Sequence, residues 1–391
     1  MTFADTYRGI RVIDLSENIA GPLACMTLAD MGADVIKVER PGNGEATRSL
    51  PPFWDGESTV FLAYNRNKRS ATLDLATDQG RDALLRLVET ADVVVQSFRP
   101  GVLARLGLGT DAMTAQRKDL ILCSISAFGE GPVGHTKPGY DALVQAFTGI
   151  MDLTGEPDGD PVRAAPSVLD ISTGMWAAMS IMAALARRGS VTGPQLLEAS
   201  LVDSGFFLLS HQLMGYLATG ETPGRLGSAA PSASPYQLFH TSDRPVMIAT
   251  STDRMFERLC AALGLEDLAA DPRFRAMQGR IDGRQELTSA LEARLSEHDA
   301  QHWLDLLGDA GIPASPVQGI GEALDSAIGQ ERRLVQPADA GRVGDLQLIH
   351  LPMDNDRQAP RHQPPVAGEH TNAILAELGI SEPAQEEVRD A

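Results

Sequence analysis

Apolar and polar positions change period repeatedly along the first part of the chain. Arg11-Val12-Ile13-Asp14-Leu15 reads as a strand, Ala20-Gly21-Pro22 as a turn, Leu23 to Met31 as a helix, and Ala33-Asp34-Val35-Ile36-Lys37-Val38 as a second strand. That succession implies a parallel pair of strands. The alternation continues with a strand at Ala71-Thr72-Leu73-Asp74-Leu75, a helix from Asp78 to Thr90, and strands at Val93-Val94-Val95 and Leu120 to Ile125. A helix from Tyr140 to Met151, a strand at Gln195 to Ala199 and a helix from Leu201 to about Leu217 extend it. The predicted class is α/β, a doubly wound, mostly parallel (Rossmann-like) sheet.

The texture changes at Gly220 to Pro235, which is rich in Gly, Pro and Ser and marks a boundary. Beyond it, Tyr236-Gln237-Leu238-Phe239 and Pro245-Val246-Met247-Ile248-Ala249 suggest a hairpin. Amphipathic helices follow around Met255 to Leu263, Gln285 to Leu295 and Gln301 to Leu307. These describe a smaller α+β domain. A strand at Leu346 to Ile349 and a helix from Thr371 to Leu378 come last, so the expected division is 1–224 plus 326–391 for the large domain and 225–325 for the small one.

The longest helical pattern follows Pro166-Ser167-Val168-Leu169-Asp170. Ile171, Met175, Met179, Met182 and Leu185 recur every three or four residues, and Arg187-Arg188-Gly189 closes the run. Asp170 is therefore expected at or beside the N-cap, where free N–H groups and the helix dipole favour an ionised carboxylate. An ionised carboxylate is also the form that attacks a carbonyl. Helix cap and nucleophile both stand at this point.

Composition narrows the partners. At 391 residues the chain exceeds one ordinary core, and 33 basic against 52 acidic residues give a formal charge of -19. That balance argues against nucleic acid or an anionic membrane surface as the main partner, and requires any anionic ligand to meet a local basic cluster. Cys25, Cys123 and Cys260 lie far apart without a C-x-x-C spacing, which argues against a disulfide framework or zinc site and suggests a reducing cytoplasm. The N-terminus lacks the pattern of a signal peptide. The near-apolar run Met175 to Ala186 is too short to span a bilayer.

Basic residues of the first half gather near strand ends: Lys37 and Arg40, then Arg66, Lys68 and Arg69, then Arg99 and Arg105. In an open parallel sheet, ligands bind at the carboxyl ends of strands, so part of this set is expected either on a phosphate-bearing ligand or on a solvated face. Gly42-Asn43-Gly44-Glu45-Ala46-Thr47 lacks the third glycine and following helix of a dinucleotide loop. Neither G-x-x-x-x-G-K-[ST] nor G-x-S-x-G occurs.

Taken together, these stretches resemble the class III CoA-transferases, the family of formyl-CoA transferase, carnitine CoA-transferase and α-methylacyl-CoA racemase. The resemblance covers nearly the whole chain. It rests on Ala20-Gly21-Pro22, Gly32-Ala33-Asp34-Val35-Ile36-Lys37-Val38-Glu39, Asn67-Lys68-Arg69-Ser70, Phe98-Arg99-Pro100-Gly101, Gly139-Tyr140-Asp141, Asp170 with Thr173-Gly174, and Gly368-Glu369-His370-Thr371.

The resemblance implies that Asp170 is the nucleophile of a CoA-transferase. It implies CoA contacts at Ile19, Ala20, Arg40, Leu73, Asp74, Leu75, Ala76, Ser97, Phe98, Arg99, Arg105, Lys137, Tyr140 and Asp141. It also implies no permanently bound cofactor, no metal, acyl-CoA and a small carboxylic acid as substrates, and an interlocked homodimer. Ser97 stands where an asparagine is common, Ile19 where formyl-CoA transferase has a glutamine, and Ser228 to Ser234 where that enzyme has a glycine-run loop. The family's racemases place a His where this chain has Tyr140, which favours transfer, although His135 lies nearby. A racemase and a non-catalytic CoA-binding protein are the alternatives.

Overall fold

The computed structural model describes residues 3–339, 341–354 and 362–380. They form two compact units. The larger draws on Met1–Ile150, Ala164–Ala218 and Arg333–Ala391, the smaller on Met151–Arg163 and Thr219–Arg332. The division thus differs from boundaries at 225 and 325. Segment 151–163 belongs to the smaller unit because the Gly227 N–H donates to the Gly155 carbonyl at 2.9 Å and Arg225 pairs with Asp152 at 3.1 Å. The expected large-domain range 326–391 runs past the described residues at 380.

The larger unit is built on β1 Arg11–Leu15, α1 Ala20–Asp30, β2 Asp34–Glu39, β3 Lys68–Thr72, α2 Asp78–Glu89, β4 Val93–Gln96, β5 Ile121–Ser126, α3 Asp141–Thr148, α4 Val168–Ala186, β6 Gln195–Ser200, α5 Leu201–Leu208 and α6 Ser210–Thr219. The six strands run parallel in the order β3-β2-β1-β4-β5-β6. Alternate residues point to opposite faces. Val12, Val35, Val93, Val95, Ile121 and Cys123 pack with α1 and α4, while Ile13, Leu15, Ile36, Val38, Val94 and Leu122 pack with α2 and Ile374 of the helix Thr371–Glu377. Both faces are covered, as a parallel sheet requires.

β3 begins three residues before its expected start at Ala71. Hydrophobic patterning drew attention to Leu73 and Leu75, whereas Lys68-Arg69-Ser70 enters the sheet because its charges are paired. Lys68 Nζ meets Asp14 Oδ2 at 2.9 Å and Asn65 Oδ1 at 2.7 Å. Arg69 meets Asp34 at 2.8 Å and Glu377 at 2.6 Å.

α4 is 19 residues long, so the apolar helix is longer than the run counted from Met175, and by length and composition it is able to cross a membrane. One side of it packs inward through Leu169, Thr173, Ala177, Ala178 and Ile181. Gly174 permits that contact. A Cβ there would stand 2.6 Å from the Ala20 carbonyl oxygen, so only glycine lets α4 lie on the first turn of α1.

The smaller unit holds a three-stranded antiparallel sheet of β7 Tyr236–His240, β8 Pro245–Ala249 and β9 Ala314–Pro316, with β8 central. Helices α7 Asp253–Leu263, α8 Arg284–Leu295 and α9 Ala300–Asp309 bury Phe256, Leu259, Leu291 and Trp303 against Phe239, Val246 and Ile248.

Candidate active site

The strand order reverses between β1 and β4, and their following loops part to leave a crevice at the carboxyl ends of the sheet. The Glu17 N–H donates to Ser97 Oγ at 2.9 Å and ties the two loops together. A cavity of about 360 Å³ opens there, lined by Glu17, Asn18, Arg40, Ser97, Phe98, Arg99, Phe128, Lys137 and Tyr140. Among the described residues none of its three cations, Arg40, Arg99 and Lys137, forms an ion pair. Arg40 Nε donates to the Gly44 carbonyl at 2.7 Å, and Lys137 Nζ lies over the Phe128 and Phe147 rings at 5.6 and 5.3 Å. Unpaired cations in a concave site on an acidic chain suit an anionic ligand.

A second cavity of about 170 Å³ shares Glu17, Asn18, Ser97, Ser126, Ala127 and Tyr140 with the first and reaches Asp170. Ser167 is the N-cap of α4, so Asp170 is its third residue rather than the cap. The capping carboxylate is Asp141, which accepts from the Leu169 N–H at 2.8 Å and the Asp170 N–H at 3.3 Å while Gln145 Nε2 donates to it at 2.6 Å. The helix terminus therefore satisfies a different carboxylate. Burial and the neighbouring Asp141 charge push the Asp170 carboxyl up to about 7, opposite to the stabilised anion expected from its place in sequence. Tyr64 packs beside Leu23 and Ile171, and its phenol is raised by burial and by Asp170.

The first turn of α1 lines the same cavity through Ile19, Ala20 and Gly21. Ile19 is the N-cap and provides no side-chain hydrogen bond, so the first N–H groups of α1 lack the cap that a Ser or Asp would supply. An isoleucine in that position leaves the positive end of a helix open to whatever occupies the cavity.

Of the expected contact residues, Ile19, Ala20, Arg40, Ser97, Phe98, Arg99, Lys137 and Tyr140 line these two cavities. Arg105 lines a third, of about 490 Å³, which shares Phe98, Arg99 and Pro100 with the first and also takes in His135. Asp141 is buried and occupied in capping, and does not reach either of the first two cavities. Leu73, Asp74, Leu75 and Ala76 line none of the three, because β3 ends at Thr72 and leaves them in the turn before α2, where Asp74 accepts from the Ala76 N–H at 3.0 Å.

The basic cluster splits. Lys37 is fully buried, pairs with Glu45 and donates to the Ser16 carbonyl at 2.9 Å, and Arg66 pairs with Asp30 at 2.7 Å. Burial opposes ionisation of Asp14, but Lys37 and Lys68 hold it well below the usual carboxylate range. Lys37 and Lys68 brace the turn after β1, and Arg66 the end of α1, instead of facing a ligand.

Glu17, Asn18, Thr47, Tyr64, Phe128 and Leu201 were not singled out by sequence. Their signal was positional: Asn18, with φ 68°, follows β1 at the strand-order reversal. Among the described residues no group of His, Cys, Asp and Glu is arranged to hold a metal.

The sequence matches CoA-transferase family III over residues 7–371. A protein named succinyl-CoA:glutarate CoA-transferase from Mus musculus is 35% identical over 374 residues, covering 95% of this chain and 86% of that one. One named succinyl-CoA:mesaconate CoA-transferase from Haloarcula marismortui is 36% identical over 383 residues, covering 95% and 96%. The crystal structure of a CAIB/BAIF family protein from Brucella suis superposes with a TM-score of 0.85 at 36% identity, covering 95% of this chain and 98% of that one.

Proposed function

The chain belongs to CoA-transferase family III, and from that premise we propose that it moves coenzyme A from an acyl-CoA thioester to a small carboxylic acid through a covalent intermediate on Asp170. It is a CoA-transferase. The observation that carries the finer reading is a carboxylate without a cationic partner among the described residues, set in a cavity continuous with one lined by three cations that make no ion pair among them. CoA supplies phosphates for Arg40, Arg99 and Lys137 and a thioester for Asp170, with Ser97 and Phe98 between. Arg105 extends the basic rim in the adjoining cavity.

The steps balance without water or a proton. The Asp170 carboxylate attacks the donor carbonyl, the C–S bond breaks, and a mixed anhydride and CoA thiolate result. The thiolate attacks the aspartyl carbonyl, forming aspartyl-CoA and releasing the donor acid as its carboxylate. The acceptor carboxylate attacks the aspartyl thioester and again expels the thiolate, which takes the new acyl group and restores Asp170. The open N–H groups at the start of α1 are placed to stabilise the oxyanions. Withdrawal from water protects both intermediates.

A racemase reading is weaker, because His135 lines the cavity of Arg105 and does not line that of Asp170. We further propose a homodimer, interlocked as in the resembling family. Exposed Met175, Trp176 and Met179 of α4 and Phe206, Phe207 and Leu217 of α5 and α6 form apolar surface suited to a partner. Three buried, unpaired cysteines support work in the cytoplasm.

The reading is tested by assaying acyl-CoA donors with and without added acids. Exchange that requires an acid and disappears in Asp170→Asn supports it. Proton exchange at the α-carbon without any acid would favour the racemase.

A further inference from the structure

Asp141 lies behind Asp170, outside its cavity, and the donors it meets among the described residues are uncharged. The Leu169 and Asp170 N–H groups donate to its Oδ2 at 2.8 and 3.3 Å, and Gln145 Nε2 donates to its Oδ1 at 2.6 Å. Gln145 is fully buried, and its amide is held in one orientation because the Ala164 N–H donates to its Oε1 at 2.9 Å. The charge of Asp141 is therefore fixed in place without a counter-charge. The other titratable groups around Asp170 supply none: Tyr64 packs beside Ile171, Glu17 and Tyr140 line the cavity, and Asp203 in the first turn of α5 accepts from Ser200 Oγ at 2.5 Å. Among the described residues no Lys or Arg lines that cavity.

A negative charge behind a nucleophile opposes every state in which the nucleophile is an anion. In the transferase reading above, on which this inference rests, net acylation converts the Asp170 carboxylate and acyl-CoA into aspartyl-CoA and the free carboxylate of the donor acid. The negative charge leaves Asp170 with that acid, and its repulsion by Asp141 is relieved. Protonation relieves the same repulsion, and burial and that repulsion together raise Asp170 to about 7. We propose that Asp141 is a positioning residue with two effects: its hydrogen bonds fix the first turn of α4 beneath the nucleophile, and its charge drives Asp170 from free carboxylate toward aspartyl thioester. Asn caps a helix about as well as Asp, so the charge is the part that capping does not explain. Because protonation and acylation both remove the anion, Asp141 should bias the two by the same factor.

Asp141→Asn in the full chain keeps a cap oxygen for the Leu169 N–H and removes the charge. The pH midpoint of transfer with succinyl-CoA should fall by about one unit from the parent's, the rest of the displacement being due to burial. Well above that midpoint, the ratio of aspartyl-CoA to free Asp170, trapped with hydroxylamine at fixed succinyl-CoA and succinate, should fall about tenfold, the factor that one unit represents. A carbon-13 titration of the Asp170 carboxyl in ligand-free protein, assigned by its loss in Asp170→Asn, should show the same displacement as the rate. Since Asp141→Asn sets one NH2 group against that of Gln145, Asp141→Asn with Gln145→Glu is the second variant. It exchanges donor and acceptor, leaves the charge one side chain further from Asp170, and should lower both quantities by less. A role in capping alone predicts that neither quantity moves in a folded variant, and that result would overturn the proposal, as would a midpoint that moves while the ratio stays. A parent that forms no aspartyl thioester with any acyl-CoA removes the transferase reading and this inference with it, whereas a marked parent with an unmoved ratio removes this inference alone.

Discussion

Asp14, near the end of β1, and Asp170, in the first turn of α4, are both withdrawn from water, and their surroundings push them in opposite directions. Asp14 has Lys68 at 2.9 Å and Lys37 at 3.8 Å and stays ionised far below the normal range. Asp170 has no cation beside it among the described residues, a carboxylate behind it and a cavity before it, and burial and that carboxylate raise it to about 7. A buried carboxylate with two ammonium partners braces a turn. One that the fold leaves destabilised as an anion, facing a cavity, is available for chemistry. The same contrast divides the basic residues: Lys37 and Lys68 are consumed by Asp14 and Glu45, whereas Arg40, Arg99 and Lys137 remain for a ligand.

Exchanging each carboxylate for its amide should separate the two roles most widely. Asp170→Asn should lower transfer by roughly a thousandfold or more while the protein stays folded, because an amide cannot form the anhydride. Asp14→Asn should lose about 3–5 kcal/mol of unfolding free energy, since it strands the buried Lys68 ammonium and takes from Lys37 one of its two carboxylate partners. Equal stability losses in the two variants would erase the distinction.

Next in size, Arg40→Ala or Arg99→Ala should weaken CoA binding by about 1.5–3 kcal/mol, measured by calorimetry at low salt. Undiminished affinity in both would move the nucleotide elsewhere.

Proton linkage gives a smaller and more discriminating effect. Asp170 binds a proton more tightly folded than unfolded, so its contribution to stability is fully present below the unfolded value near 4 and is lost as pH rises through about 7. At pH 8 Asp170→Asn should therefore be more stable than the parent by roughly 1–3 kcal/mol, with the advantage shrinking toward pH 4. Asp14 has the opposite sign: its stabilisation is present above pH 4 and lost on further acidification through its depressed folded value. The transfer rate of the parent should rise with pH through an apparent value near 7, as the nucleophile loses its proton.

The strands and most helices were legible because Val93-Val94-Val95 or the alternation of α2 states its own burial. β3 was not, because Lys68 and Arg69 enter the sheet through partners at Asp14 and Asp34 that lie far away in sequence. For the same reason a buried lysine and a ligand-binding one look alike in sequence, and Lys37 was grouped with Arg40. Asp170 stands out by its place before an apolar helix, but its proton affinity depends on burial and on Asp141, 29 residues away, which takes the helix N–H groups. Ile19 at the N-cap of α1 carried a local signal, an apolar residue where a polar cap is favoured, that acquires meaning only once α4 is seen beside it.

The most direct test of the account is to trap the acyl transfer on the protein. Incubation with an acyl-CoA alone, followed by hydroxylamine or borohydride and mass analysis of the peptides, should mark the peptide containing Asp170 at that residue, and no mark should form in Asp170→Asn. A mark on another residue, or rapid exchange in the parent with Asp170 unmodified at every time point, would contradict it.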